Sequence, residues 1–491
     1  MEENRSGDYA LKGHGILLLI LAFSAAVIYH FAHPGLLSRE YTGLPGIGLA
    51  VSQWMLMLGS LWAAFREDKG RFKGNWAGYF LAVCALLLGA CYGIFSNRSL
   101  RLMNVPVLVL ASAQAIFAFS GHHGQKPLSG QGWLKSIGRI FALPFIYFVR
   151  PFEALRERNR NRTRKIRGLG LGILIGIPVL LLAILLLASA DSMFGDIFSK
   201  AFSVIGRLDV AFFFRLPFAF LAGLLLFSFL YGASMTRIFA DEGKEHQAPP
   251  ATFAIALSGL AVLYALFAYI QFRYLFGGME AAMMKEGYAE YARSGFFQLV
   301  LLSCITLGLL LPGLSLCKGS TAVRVLGAVV AILTIVIDFS AAFRMHLYIQ
   351  AYGLTVLRLV TLWGMLAILI ALLLALIKCI CPSFRLCPWL TAALLVTWVG
   401  LNFINVDARI AEYNVSAWEK GDLVQLDTDY LARLSPDVLP VLEKIQDAEQ
   451  KEKILTEVTE KFRKKYPAAY DWSLSWRHLP EDGQTAENMV E

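Results

Sequence analysis

Ten residues could carry chemistry: Asp191, Arg215, Arg273, Tyr291, Arg293, Asp338, Arg344, Tyr352, Arg358 and Asp407. Each is ionisable, and each falls in or beside a long apolar run, toward the end of that run. A charge at the centre of a bilayer-spanning helix costs roughly 2.5–3.5 kcal/mol on insertion scales, and less near an interface. Arg215 (in Phe-Phe-Phe-Arg-Leu-Pro), Arg273 and Asp338 lie deepest in apolar sequence. Arginines outnumber acids in this set, so a cavity lined by it would favour an anionic ligand, because guanidinium forks match carboxylate or phosphate oxygens. The competing reading is structural, with arginines snorkelling to the interface and pairing with the aspartates. Asp338 and Arg344 cannot share a helix face, since six residues rotate by about 240°. Asp338 is therefore expected to pair with Arg215, Arg273 or Arg358 on another helix. Tyr288, Tyr291, Tyr348 and Tyr352 fall at the same level, where interfacial tyrosines are expected in any case.

Other chemistry finds little support. The chain has no Gly-x-Ser-x-Gly, His-Glu-x-x-His or Walker A motif in a confirming context, which counts against the common soluble-enzyme reactions. Cys84, Cys91 and Cys304 read as small core residues. Cys317, Cys379, Cys381 and Cys387 gather at one predicted face, but Cys-x-Cys-x5-Cys is not zinc-ribbon spacing, and His122-His123 has no third ligand. No catalytic residue, metal or cofactor is expected, and an enzyme is the less favoured reading.

The elements that position these residues follow from composition. The 491 residues are 57% hydrophobic and only 16% charged, against about 25% charged in soluble domains. Eleven apolar spans are predicted: 13–33, 46–65, 76–95, 105–120, 169–190, 211–235, 251–276, 296–316, 325–343, 357–377 and 388–405. Each matches the roughly 20 residues that cross a bilayer, and lipid forces the backbone to satisfy itself within a helix. The short fourth span, and Asn402 and Asn405 in the eleventh, widen the count to ten to twelve. The fold class is all-α: a polytopic transmembrane bundle with a small helical C-terminal soluble tail.

Basic residues orient the bundle. With the N-terminus inside, the inner segments carry 23 Lys and Arg and the outer loops eight, the asymmetry of a cytoplasmic N-terminus. Eleven spans then leave the tail outside. Four parts are expected: 1–120, a four-helix membrane part; 121–168, a basic cytoplasmic loop; 169–405, a seven-helix core; and 406–491, an extracytoplasmic tail. The tail carries 18 acids and 11 bases. Ser435-Pro436 reads as an N-cap with Pro at the first helical position, and Leu455, Val458 and Phe462 form a stripe at helical spacing. Within the loop, Trp133 to Val149 is too short and broken to span and reads as an interfacial helix. Arg156, Arg158, Arg160, Arg162, Arg164, Lys165 and Arg167 follow, seated on anionic lipid headgroups. No aromatic residues interleave with these arginines, so nucleic acid is not an expected partner.

Four segments carry a resemblance. They are Ala188 to Phe194, Tyr288 to Phe297, Arg344 to Arg358 through Tyr352-Gly353-Leu354-Thr355, and Asn405 to Asn414. Over roughly residues 168–415 the chain resembles an uncharacterised bacterial membrane family, domain of unknown function 4173, close to 4153. The resemblance implies a bacterial integral membrane protein and assigns no catalytic residue. The expected function is that of a multi-pass plasma-membrane protein acting without catalysis at its outer face, as an envelope sensor or assembly factor. Its expected partner there is an envelope protein or a small anionic ligand. The alternative is a transporter of a small anionic solute or lipid headgroup. A membrane-embedded transferase is the second alternative.

If the loop arginines act on lipid through charge alone, Lys at positions 158, 160, 162 and 164 should preserve membrane insertion and expression. Gln at all four should impair both, as read by membrane fractionation.

Overall fold

The computed structural model describes residues 20–26, 46–67, 69–120, 128–151, 210–235, 248–277, 296–317, 319–465 and 474. All regular structure among them is helical. Eight helices are long and apolar enough to cross a bilayer. They are α1 (Ile47–Glu67), α2 (Trp76–Ile94), α3 (Arg98–Phe119), α6 (Pro250–Gly277), α7 (Phe296–Leu316), α8 (Thr321–Tyr352), α9 (Val356–Ile380) and α10 (Leu386–Phe403). These coincide with eight of the eleven expected spans. The helix α5 (Val210–Met235) occupies the position of another, and residues 20–26 are a helical piece of the first. The expected span 169–190 and the basic run 156–167 lie outside the described residues.

Exposed flanks give the solvent. Ile255 and Val262 on α6 are 73% exposed and Phe297 on α7 is 67% exposed, a pattern that suits lipid rather than water. Cys84 and Cys91 are buried as expected, but Cys304 is exposed on α7 and belongs to that outward flank, not to the core. The chain is a multi-pass helical membrane protein.

The described residues divide into two compact units, one within residues 1–242 and one within 243–465. In the first, α1, α2 and α3 pack against one another, and α5 packs on the 17-residue helix α4 (Gly130–Ile146). The core of this unit gathers Phe117, Phe227, Leu230, Leu143 and Tyr147. Helix α4 bridges two helix ends. The Ser136 hydroxyl bonds the Gln114 side chain near the end of α3. Leu143 and Tyr147 press on Gly232 near the end of α5, where a Cβ would lie 2.7 Å from the Tyr147 ring. Such a small residue lets neighbouring segments approach closely. Leu134, Phe141 and Phe145 stay exposed along α4.

In the second unit, α8 packs against α6, α7 and α9, and α9 against α10. The polar tail follows as α11 (Val406–Glu419), α12 (Thr428–Leu431), a 3-10 turn (Pro436–Val438), α13 (Leu439–Leu442) and α14 (Ala448–Lys465). Ser435 precedes that turn with Pro436 at its first position, and Leu455 and Val458 of the expected stripe are buried. The Phe462 side chain lies outside the described residues.

Helix ends are closed by side chains. Asn75, Asn97, Ser129, Ser320 and Thr355 each accept a first-turn N–H, satisfying donors that a helix leaves orphaned. At the opposite ends, cations donate to carbonyl oxygens. Arg101, only 3% exposed, donates to Tyr92 O (2.8 Å) and Phe95 O (2.9 Å) at the end of α2, while the Tyr92 hydroxyl donates back to Arg101 O at 2.6 Å. Arg324 donates to Cys379 O (2.8 Å) and Ile380 O (3.3 Å) at the end of α9.

Arg101→Leu would strand buried carbonyl oxygens, each costing about 1–3 kcal/mol. The variant should melt several degrees lower in detergent. Arg101→Lys, which keeps one donor head, should recover part of the loss, whereas a leucine variant as stable as the parent would show the bonds to be dispensable.

Candidate functional site

Helix α8 is 32 residues long, about 48 Å at 1.5 Å per residue, well beyond the roughly 30 Å hydrocarbon core. Its polar C-terminal turns, Arg344 to Tyr352, take up the surplus. Asp338 lies about 21 Å along the axis from Tyr352, so residues expected at one level are spread over several turns.

Asp338 is on the packed face of α8 with Thr334 one turn before it, and it is 4% exposed. Its Oδ1 has no hydrogen-bond partner among the described residues. The Thr334 hydroxyl donates instead to Val330 O at 2.7 Å. Arg358, one of the three partners expected for Asp338, is engaged elsewhere. Its Nη1 donates to Tyr352 O (2.9 Å) and Gly353 O, the last carbonyls of α8. The guanidinium lies 4.3 Å from the Tyr348 ring centroid and 5.9 Å from that of Tyr352, and those two rings meet at 5.0 Å. This is a C-terminal cap reinforced by cation–π contact. Arg344 is half-buried on the same helix.

The chain then turns at Gly353, whose φ of 75° lies in the left-handed region that glycine adopts without steric cost. The non-helical residues that follow, Leu354 and Thr355, dock the tail. Leu354 N–H donates to Asn414 Oδ1 at 2.6 Å, and Asn414 Nδ2 donates to Leu354 O at 2.9 Å. One side-chain amide thus satisfies both polar groups of one residue, as a neighbouring strand would. Val356 N–H donates to the Tyr430 hydroxyl at 2.7 Å. Burial is the main cause that raises the Tyr430 phenol above its ordinary pKa; the Val356 bond lowers it, and Asp407 raises it again. Asp407 is 1% exposed in the first turn of α11, where the helix dipole favours a carboxylate. Its Oδ2 accepts Ser435 N–H at 3.0 Å, which fixes the second tail segment to the first. Asn405, the N-cap of α11, has φ 51°, a conformation that asparagine tolerates better than most residues.

The structure therefore brings Tyr352, Arg358 and Asp407 to one corner, places Arg344 on the approach to it and leaves Asp338 deeper in the bundle. Arg215 and Arg273 lie on α5 and α6, with side chains outside the described residues. Asp191, Tyr291 and Arg293 are outside them altogether. Asn414 and Tyr430, which hold the corner, were not among the residues expected from sequence. A helix followed by Gly353 signals a C-cap, but nothing local announces that an asparagine 60 residues later completes it.

Two of the segments that carry the resemblance, Tyr352 to Thr355 and Asn405 to Asn414, meet at this corner. No curated protein and no solved structure matches the chain.

Asn414→Ala should remove two bonds and leave the Leu354 polar groups unpaired, at about 1–3 kcal/mol each. Gly353→Ala should also destabilise, because a Cβ there would lie 2.7 Å from Asn414 Oδ1 and the backbone has positive φ. Limited proteolysis of both variants should release the tail faster than in the parent, with the bundle intact.

A family model described as Domain of unknown function (DUF4153) matches residues 54–445, taking in α2, α3 and much of the tail as well as the four segments, and the chain belongs to that family.

Proposed function

We propose that the protein works without catalysis in a bacterial plasma membrane, as an envelope sensor or assembly factor whose binding surface is its outer face. The observation that carries this reading is the attachment of the tail. Asn414 and Tyr430 hold α11 and α12 on the connection between α8 and α9, two packed helices of the second unit. A partner bound to the tail would therefore act directly on α8 and α9. The partner is an envelope protein or a small anionic ligand, and the surface includes the outer arginines, tyrosines and Asp407. The distribution of bases supports a cytoplasmic N-terminus and an extracytoplasmic tail. It also supports anionic lipid around Arg156–Arg167.

Transport of a small anionic solute or lipid headgroup is the second reading. Asp338 favours it, because ionisable residues within spans commonly mark substrate or ion paths.

Topology and function can be tested together. In a background without native cysteines, Val424→Cys on the exposed loop after α11 should react with an impermeant maleimide in intact cells, and Ser129→Cys should not. Protection of position 424 in a folded protein would place the tail inside. Asn414→Ala should reproduce the deletion phenotype while the protein still reaches the membrane, with Asp338→Asn close to normal. The opposite pattern would favour transport.

A further inference from the structure

Within the first unit, α1, α3, α5 and the helical segment 20–26 surround a cavity of about 510 Å³, closed along one edge by Ile140 and Pro144 of α4. We propose that this cavity holds one acyl chain of an anionic phospholipid drawn from the surrounding bilayer.

The lining specifies the chain. Met57, Ala113 and Ile116 line the space and are 1–3% exposed, so its inner wall lies within the helix packing while its outer side is open. Val109 at the rim is 47% exposed, which connects the opening with the lipid-facing surface of α3. The volume falls within the roughly 300–1,000 Å³ of ligand-binding pockets. Among the polar side chains of the lining, Gln53 Oε1 is buried near Gly89 of α2 without a hydrogen-bond partner among the described residues, while the other polar groups bond neighbours. Ser52 Oγ donates to Gly48 O (2.7 Å) and Ala25 O (3.2 Å), and Gln53 Nε2 donates to Ser112 Oγ (3.1 Å). A space with so little to offer a water molecule stays dry, and hydrocarbon is the solvent at its mouth.

Charge specifies the headgroup. Residues 128–151, which include α4, contain Lys135, Arg139 and Arg150 and no Asp or Glu. Because α4 bridges the C-terminal ends of α3 and α5, these cations gather at one end of the unit, beside the cavity edge that Ile140 and Pro144 form. Long cationic side chains at that level suit a lipid phosphate, with their stems along apolar surface.

The test uses the full chain in vesicles of phosphatidylcholine and phosphatidylglycerol, doped with phosphatidylglycerol that carries a diazirine in one acyl chain. After irradiation, mass spectrometry should find label on Met57, Ile116 and Phe229 in excess over the lipid-exposed Val262. Ala222→Phe narrows the cavity and should lower the cavity label roughly tenfold, about 1.4 kcal/mol of binding, without changing the label on Val262. Should that variant not fold, Ala113→Leu and competition by unlabelled phosphatidylglycerol in the parent protein read the same site. Gln at positions 135, 139 and 150 should abolish any preference for phosphatidylglycerol over phosphatidylcholine probes. Cavity label no higher than at Val262, or unchanged by filling or competition, would overturn the proposal. So would a parent protein with no headgroup preference, or stronger cavity labelling by a diazirine fatty acid than by the phospholipid.

Discussion

A helix satisfies every backbone group except those at its two ends, and these need partners wherever hydrocarbon or packing keeps water away. Much of the polar architecture of this protein answers that constraint. Asparagine, serine and threonine close the N-termini, and cations close the C-termini: Arg101 on α2, Arg358 on α8 and Arg324 on α9. Lys378 donates to Pro382 O and Phe384 O just beyond the last turn of α9. Each cation also opposes the partial negative charge of the terminus it caps. An arginine beside a span is therefore first a backbone partner, and only its surplus capacity is available to a ligand.

The corner between α8 and α9 shows what such capping makes possible. Arg358 ends α8, Gly353 reverses the chain, and the short non-helical stretch that results presents backbone N–H and C=O groups in a row. Asn414 and Tyr430 of the tail take them up. The polar tail is joined to the membrane helices by two of its side chains, Asn414 and Tyr430, bonded to backbone atoms of the connection. The tail is thereby fixed at the point where α8 ends and α9 begins. The exposed ion pair Arg409–Glu412 at 2.7 Å adds little to this attachment, as surface pairs generally do.

In the first unit, lipid acts at more than one surface. Apolar side chains on α1 to α5 face outward, small residues such as Gly232 let segments pack closely, and α4 lies across two helix ends instead of crossing between them. Ile140 and Pro144 of α4 form one edge of the cavity between α1, α3 and α5.

Among the described residues, the existence and approximate position of the spans were legible from sequence, because mean hydropathy over about 20 residues reports a solvent preference that every residue in the run shares, although α8 runs 32 residues where 325–343 was expected. The helix expected within Trp133 to Val149 was legible for similarly local reasons and is α4; Pro436 does open a turn, but Ser435 makes no side-chain capping bond to it. The roles of the charged residues were not. Arg358 looked like a partner for Asp338 because both interrupt apolar sequence, yet Arg358 caps α8, and Asp338, whose Oδ1 has no hydrogen-bond partner among the described residues, lies about 21 Å along the axis from Tyr352 at that end. Asn414 carried no signal, since its partners are the N–H and C=O of Leu354, 60 residues earlier, and any residue type supplies those. Hydropathy is a property of segments and can be read along the chain. Hydrogen-bond partnership is a property of pairs, and only the folded arrangement of helices decides which pairs meet.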